Sequence, residues 1–198
     1  LNEISFNVGD LNLDGELFLS GSNQSSFYVV DVDPASATFL TLLRTEDIEE
    51  AGVSTTTGAV DWAFNPKDGF LYAVRGSDNN LLKIDPTSGV LTNLGISGAT
   101  GGSWGAQFFD ADGNMYIEEN EATGAIYRLD LSTNPGADYD ESKTVLFSNR
   151  PGNVVLGNND GALCPNAKIN IDFGDAPDTY GTTLSADGAR HLLAAYNS

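Results

Sequence analysis

One plan occurs three times along the chain, and this repeat constrains the fold more than any other feature. Each copy starts with an Asp-Gly pair, runs through two apolar segments and closes with an aspartate; the pairs are Asp14-Gly15, Asp68-Gly69 and Asp112-Gly113. The separations from the first aspartate to the closing one are 19, 17 and 18 residues. Asp-Gly favours a tight hairpin turn, and the β-branched and aromatic residues that follow favour strands. The repeat therefore predicts an all-β chain of antiparallel units.

The spacing of the units predicts β-propeller blades. Consecutive Asp-Gly pairs lie 54 and 44 residues apart, close to the roughly 40–50 residue period of a four-stranded blade. The predicted strands of the second unit are Val60–Phe64, Phe70–Val74, Leu81–Ile84 and Val90–Leu94, and those of the third are Gly105–Phe109, Asn114–Ile117, Ala125–Leu129 and Thr144–Phe147. Closed propellers have roughly 4–8 blades, so three recognisable blades predict an incomplete ring, to which residues 1–8 add a strand or two. Thr45–Ala51 has helix-like composition and is predicted to form the one helical turn.

Charge and hydropathy exclude several partners. The chain has 28 Asp and Glu residues against 9 Lys and Arg, a net charge of −19. We therefore expect neither nucleic acid nor an anionic lipid surface as a partner, because both require a cluster of basic residues. The apolar runs are only a few residues long, whereas a membrane span needs roughly 20. Hydrophobic residues make up 40% of the chain, which is enough for a buried core.

Two side-chain clusters have structural interpretations. Trp62 and Trp104 precede strands at related points of adjacent units, and we predict that they pack between blades rather than form a sugar-stacking platform. Glu118, Glu119 and Glu121 form the densest acidic run. We expect them in a solvated hairpin loop, the usual setting of such runs.

A candidate calcium loop precedes the first Asp-Gly turn. Asp10, Asn12 and Asp14 place oxygen-bearing side chains at alternate positions, and Gly15 permits a sharp turn. An EF-hand would continue to a bidentate Glu at the twelfth position, which is Gly21 here. The other interpretation is ordinary hairpin chemistry, because Asp-Gly recurs in the other two units. Calcium is accordingly the candidate cofactor, with Asp10, Asn12 and Asp14 as its ligands.

Catalytic signals are weak. His191 is the only histidine and Cys164 the only cysteine in the sequence, too few for a zinc set of the usual kind. Paired carboxylates for glycoside hydrolysis are defined by their separation in space, and no sequence pattern selects a pair among the 28 acids. We therefore predict no catalytic residues and no enzyme activity.

Several stretches resemble a known repeat family. Asp61–Tyr72 with Lys83–Gly89, Gly105–Asn114 and Asn158–Ala167 resemble a propeller-like repeat domain of unknown function from large secreted bacterial surface proteins. The resemblance covers Leu11–Ala167, and its closing stretch is the most specific part. It implies secretion, display on a cell surface or matrix, and no known catalysis. It also implies a pairing of Cys164 with a cysteine near the start of the family domain, which this sequence lacks.

The C-terminal residues have a different composition. Asp172–Gly181 with Gly188–His191 look like the opening of a GEVED domain, a module found beside such propellers in adhesin-like proteins. We therefore divide the chain into a partial propeller-like domain, residues 1–168, and the start of a GEVED-like module or an extended tail, residues 169–198.

Three functions remain open at this point. The leading hypothesis is a non-catalytic, secreted or cell-surface propeller segment of an adhesin-like or structural protein. Its expected partner is another polypeptide, either the remainder of a parent protein or a second copy, with a glycan or surface ligand as a further candidate. An extracellular filament subunit would instead show a strand crossing between neighbours. A calcium-dependent lactonase or glycoside hydrolase would hold convergent polar residues and an ion in the axial funnel.

Overall fold

The chain is an all-β protein. The computed structural model describes residues 6–21, 23–120, 124–148, 159–169, 171–172 and 191–192, the last two as backbone only. Within these ranges the only helical turn is a 3₁₀ helix, Glu141–Lys143, and no helix is long and apolar enough to span a membrane. This confirms the prediction of repeated antiparallel sheets.

Each repeat unit folds as one sheet, and we call the three sheets blades 1, 2 and 3; all their strand pairs are antiparallel except one parallel pair in blade 2. In blade 1 the strands run in sequence order: β1 (Val8–Leu11), β2 (Glu16–Ser20), β3 (Ser26–Asp31) and β4 (Leu42–Asp47). Blade 2 has six strands in the order β6-β5-β10-β9-β8-β7, namely β5 (Glu49–Glu50), β6 (Val53–Ser54), β7 (Ala63–Phe64), β8 (Leu71–Val74), β9 (Asn80–Ile84) and β10 (Val90–Ile96). Blade 3 comprises β11 (Trp104–Phe109), β12 (Asn114–Glu119), β13 (Ile126–Asp130) and β14 (Thr144–Ser148).

The same side-chain cap shapes the first hairpin of blades 1 and 3. The side-chain oxygens of Asn12 and Asp110 each accept N–H groups two and four residues later, at 3.0 and 2.9 Å. The glycine of the Asp-Gly pair lies within each capped turn and has a positive φ, +80° at Gly15 and +85° at Gly113. Only glycine adopts this conformation without strain, which explains the fixed position of the pair in each unit.

The predicted helical turn at Thr45–Ala51 is wrong. Residues 42–47 form β4, and Glu49–Glu50 form β5, which lies between β6 and β10 in blade 2 and runs parallel to β10. The side chain of Ile48 between them is fully buried, and its N–H donates to the carbonyl of Ser25 at 2.7 Å. Pairing with β3 and burial of Ile48 thus override the helix-like composition of the segment.

The predicted placement of the acidic run needs correction. Glu118 and Glu119 lie in strand β12 rather than in a loop, and Glu119 is buried; Glu121 lies outside the described residues. Of the N-terminal residues predicted to add a strand or two, residues 1–5 lie outside the described residues, and Val8 begins strand β1 (Val8–Leu11). The GEVED-like stretch lies outside the described residues except for two short paired strands, β15 (Ile171–Asp172) and β16 (His191–Leu192).

Two apolar clusters hold the blades together. Trp62 packs between blades 1 and 2, with its ring centroid 5.7 Å from that of Phe27 in an edge-on arrangement. Trp104 packs between blades 2 and 3, where Tyr72 and Phe109 also meet at 5.7 Å. Both tryptophans are at most 1% exposed, which confirms that they belong to the inter-blade core. Such edge-on aromatic contacts add stability beyond the area that they bury.

Candidate functional site at the propeller axis

The first strand of each blade lines the axis, and aspartate side chains join these inner strands. Oδ2 of Asp10 on β1 accepts the N–H of Phe64 on β7 at 2.7 Å. Oδ2 of Asp61, just before β7, accepts the N–H of Gln107 on β11 at 2.9 Å. In both aspartates Oδ1 accepts the N–H of the following residue at 2.8 Å. Each carboxyl group therefore connects one blade to the next.

Gln107 completes the junction between blades 2 and 3. Its Oε1 accepts the N–H of Val74 at 2.7 Å, and its Nε2 donates to the carbonyl oxygens of Asp61 and Val74 at 3.0 and 3.3 Å. The side chain is 1% exposed. A buried amide with both ends bonded fixes the relative position of the two blades.

Burial changes the ionisation of the axial carboxyl groups. Burial raises the pKa of Asp61 to about 8, despite the N–H groups of Gln107 and Trp62 that favour the anion, and the charges of Asp160 and Asp10 raise it further. Burial also raises the pKa of Asp10 to about 6. Asp61 therefore retains a proton near neutral pH, because desolvation outweighs its two hydrogen bonds.

A polar cleft opens at the end of the axis where the inner strands begin. We call it the axial mouth; its volume is about 500 Å³, and it is lined by Asn7, Val60, Ser103, Gly105, Asn120, Asn159 and Asp160. The amide of Asn120 is central, since its Nδ2 donates to Ser103 Oγ at 3.2 Å and its Oδ1 accepts the N–H of Asn159 at 2.9 Å. Amides and hydroxyls suit hydrogen bonding to a neutral polar ligand.

Ser103 in the axial mouth lies within a sequence pattern typical of hydrolase nucleophiles. Gly101–Gly105 matches Gly-x-Ser-x-Gly, the pattern of a nucleophile elbow, which sequence reasoning missed. An elbow requires a strand followed by a helix. Here Ser103 instead leads from a loop into strand β11, so the structural context of a nucleophile elbow is not met.

Residues 159–167 lie against blade 3 and follow the direction of its inner strand. The N–H of Asn159 contacts Asn120 near the start of β11, and the carbonyl of Ala167 accepts the N–H of Ala111 just beyond its end, at 2.7 Å. Between these points Gly161 lies so close that a Cβ would come within 2.9 Å of the Cβ of Ala106. The segment thus occupies the side of blade 3 that faces away from blade 2.

One face of blade 1 carries an apolar row across all four strands. Direct cross-strand pairing aligns Leu11 with Leu17, Leu17 with Val30 and Val30 with Leu42; we call these four residues the outer face of blade 1. Leu11 and Leu42 are 39% and 46% exposed. The opposite face of the same sheet packs on blade 2 and is fully buried, through Phe18, Phe27 and Val29.

The structure separates the three predicted calcium ligands. Asp10 faces blade 2, whereas Asn12 and Asp14 line a different cleft, of about 490 Å³, at the hairpin turn. The oxygen of Asn12 already accepts two backbone N–H groups. Among the described residues no group of three or more His, Cys, Asp or Glu side chains has metal-binding geometry. Calcium binding at Asp10, Asn12 and Asp14 stays a prediction.

The comparisons with known proteins give a family and a fold. The model of a family described as "Repeat of unknown function (DUF6923)" matches residues 2–166. No curated protein matches the chain.

Solved structures share the architecture at low sequence identity. An auxiliary nutrient binding protein from Bacteroides ovatus has a TM-score of 0.50 and 19% identity over 76% of this chain and 33% of its own. Hydrazine synthase from Kuenenia stuttgartiensis has a TM-score of 0.49 and 16% identity over 75% of this chain and 38% of its own. The chain thus spans between a third and two fifths of these structures. The fold is propeller-like, and the ring of described residues is not closed.

Proposed function

The chain belongs to the DUF6923 repeat family, and we propose that it is a non-catalytic propeller segment that binds polypeptide through the outer face of blade 1. The apolar row on this face carries the proposal. In the middle blade of the same chain, β8 is buried at all four positions because neighbours cover both faces of the sheet. Blade 1 has the same two-sided apolar character, but the described residues cover its outer side only in part: Phe6 packs there against Tyr28 at 5.6 Å, whereas Leu11 and Leu42 stay exposed.

The chemistry of the outer face favours a second β-sheet as the partner. Leu11, Leu17, Val30 and Leu42 form a row of aliphatic side chains in direct cross-strand register. Full burial of a large aliphatic side chain stabilises a fold or complex by roughly 1.5–3 kcal/mol. A side chain that is about half exposed would gain about half of that amount when a partner covers it. A contiguous apolar patch of this kind marks an interaction surface.

Location and biological setting belong to the same proposal. The resemblance to surface-protein repeats and the GEVED-like opening support a secreted, adhesin-like or structural parent protein. The hydrogen-bonding groups of the axial mouth support display of a polar ligand such as a glycan. With a net charge of −19, the assembly should strengthen when salt or divalent cations screen the carboxylates.

Sedimentation velocity of the 198-residue chain tests the proposal. We expect reversible association that increases with protein concentration and with salt. Leu42→Lys places a charge on the outer face at a partly exposed position, so it should weaken association at least tenfold. The matched control is Val53→Lys, on strand β6 and 67% exposed, which should leave association unchanged. A wild-type chain that stays monomeric up to hundreds of micromolar would contradict the proposal.

A further inference from the structure

We infer that residues 159–164 form the inner strand of a fourth blade, which a turn at residues 164–167 ends, and that this strand pairs with a partner polypeptide supplying the remaining three antiparallel strands. The inference deepens the proposed function, since it specifies what kind of polypeptide the open side of the ring accepts. It depends on four observations of sequence, turn geometry, burial and hydrogen bonding.

The first observation is a repeat of the inner-strand sequence. Asp61-Trp62-Ala63-Phe64-Asn65-Pro66 opens blade 2, and Asp160-Gly161-Ala162-Leu163-Cys164-Pro165 has Asp, Ala and Pro at the same three positions. The side chain of Asp160, although exposed, also makes the local hydrogen bond found at the other axial aspartates. Its Oδ1 accepts the N–H of the next residue at 2.8 Å, the distance found at Asp10 and Asp61.

The second observation is the turn that follows. The N–H of Ala167 donates to the carbonyl of Cys164 at 2.7 Å, as the N–H of Gly113 donates to Asp110 and that of Gly15 to Asn12. In blades 1 and 3 this bond marks the point where the inner strand turns back into the second strand. Cys164 therefore stands where Asn12 and Asp110 stand in complete blades.

The third observation is that the segment has the burial pattern of a strand with one covered face. From residue 159 to residue 164, before the turn, the side chains alternate between half-buried and exposed, with a period of two. The half-buried set faces blade 3, where Gly161 lies against Ala106 and Phe108. Phe108 in turn stacks on Tyr116 at 5.4 Å, so the segment lies on an aromatic surface that continues across the blade.

The fourth observation is an edge with which no described strand pairs. Within the described part of the chain no backbone hydrogen bond pairs Ala162 or Leu163 with another strand. At the equivalent positions of blade 2, Ala63 and Phe64 pair with Tyr72 and Leu71 of β8. An extended segment with an unpaired edge is the template for addition of a β-strand. Asp160 also lines a cleft of about 280 Å³ with Leu17 and Leu19 of blade 1, which places this edge next to the open side of that blade.

The middle blade of this chain supplies a defined probe for the partner. A fluorescent peptide of residues 68–96 contains β8, β9 and β10, which is a blade without its inner strand. In the native blade its β8 pairs with Ala63 and Phe64, the counterparts of Ala162 and Leu163. We expect saturable binding of this peptide to the full chain in fluorescence anisotropy, and at least tenfold slower hydrogen exchange of the amides at residues 161–164.

Two substitutions of the exposed residue Ala162 distinguish pairing of the peptide with this strand from binding of the peptide elsewhere on the chain. Ala162→Pro removes the N–H that would pair and should abolish binding, whereas Ala162→Val retains it and should bind at least as tightly. Equal melting temperatures of the free variants would show that both fold. Peptide binding that survives Ala162→Pro would place the peptide elsewhere, such as on the outer face of blade 1, and would overturn the inference. Absence of binding by a chain that still self-associates through Leu42 would also overturn it, while leaving the proposed function intact.

Discussion

The side chain of Asp61 joins two blades and makes the stability of their junction depend on pH. It is 4% exposed and accepts hydrogen bonds from Trp62 in its own blade and Gln107 in the next. The cost of burying the charge exceeds the gain from these bonds, so the pKa of the carboxyl rises to about 8. The junction is consequently most favourable when Asp61 is protonated.

We predict that the folded chain loses stability between pH 5 and pH 8.5. The pKa of Asp61 is about 8 in the folded chain and near 3.9 when unfolded. The stabilisation is therefore fully present below the unfolded value and disappears as the pH rises through the folded one. The slope from one such group is at most about 1.4 kcal/mol per pH unit. Thermal melts of Asp61→Asn across this range should show a clearly smaller loss than the wild type.

A carboxyl with the opposite shift provides the control. The Ser142 hydroxyl beside Asp140 holds the pKa of that carboxyl below its usual range, so Asp140 is ionised in both states throughout this interval. Asp140→Asn should retain the wild-type pH dependence. If Asp61→Asn retained it as well, the buried carboxyl would not be its source.

At the scale of elements, sequence patterns located the blades because turn chemistry is local. The Asp-Gly turns and the apolar runs after them gave β8, β9 and β12 to within about two residues of the observed bounds. The predictions failed where pairing with strands distant in sequence decides the local structure. Thr45–Ala51 becomes strand because β3 and β10 offer open edges, and no local pattern encodes such edges. The axial links were missed because Asp61 and Gln107 meet only across two blades.

Gly89 of blade 2 packs closely against the backbone at the end of blade 1. A Cβ on Gly89, which has a φ of +70°, would overlap the backbone carbonyl of Asp47 at the end of β4. Gly89→Ala should lower the free energy of unfolding by about 1–3 kcal/mol more than Gly69→Ala. Gly69 has a similar φ of +78° with no atom within 4 Å of the added Cβ, so it isolates the cost of the backbone conformation. Equal losses in urea unfolding would argue against close contact at Gly89.

At the scale of the whole molecule, the three blades form part of a ring. Apolar side chains fill the two contacts between neighbouring blades, whereas the outer sides of blades 1 and 3 are covered to different extents. Trp62, Phe64, Trp104 and Phe109 are buried between blades. Phe108 lies instead on the side of blade 3 that faces away from blade 2, beneath residues 159–167. The other end carries the outer face of blade 1. The three blades and their order along the chain were predictable from the repeat. The cover on the outer side of blade 3 was not, because it depends on the path of residues 159–167.

The central claim is that a polypeptide covers the outer face of blade 1, and hydroxyl-radical footprinting of the assembled chain measures this directly. Tyr28 lies on the outer side of blade 1, opposite Leu19. Oxidation of Tyr28 should fall severalfold from the Leu42→Lys variant to the associated wild type, while oxidation of Phe39, in an exposed turn of the same blade, stays constant. Association without any protection of Tyr28 would contradict the account, because the chains would then meet through a different surface.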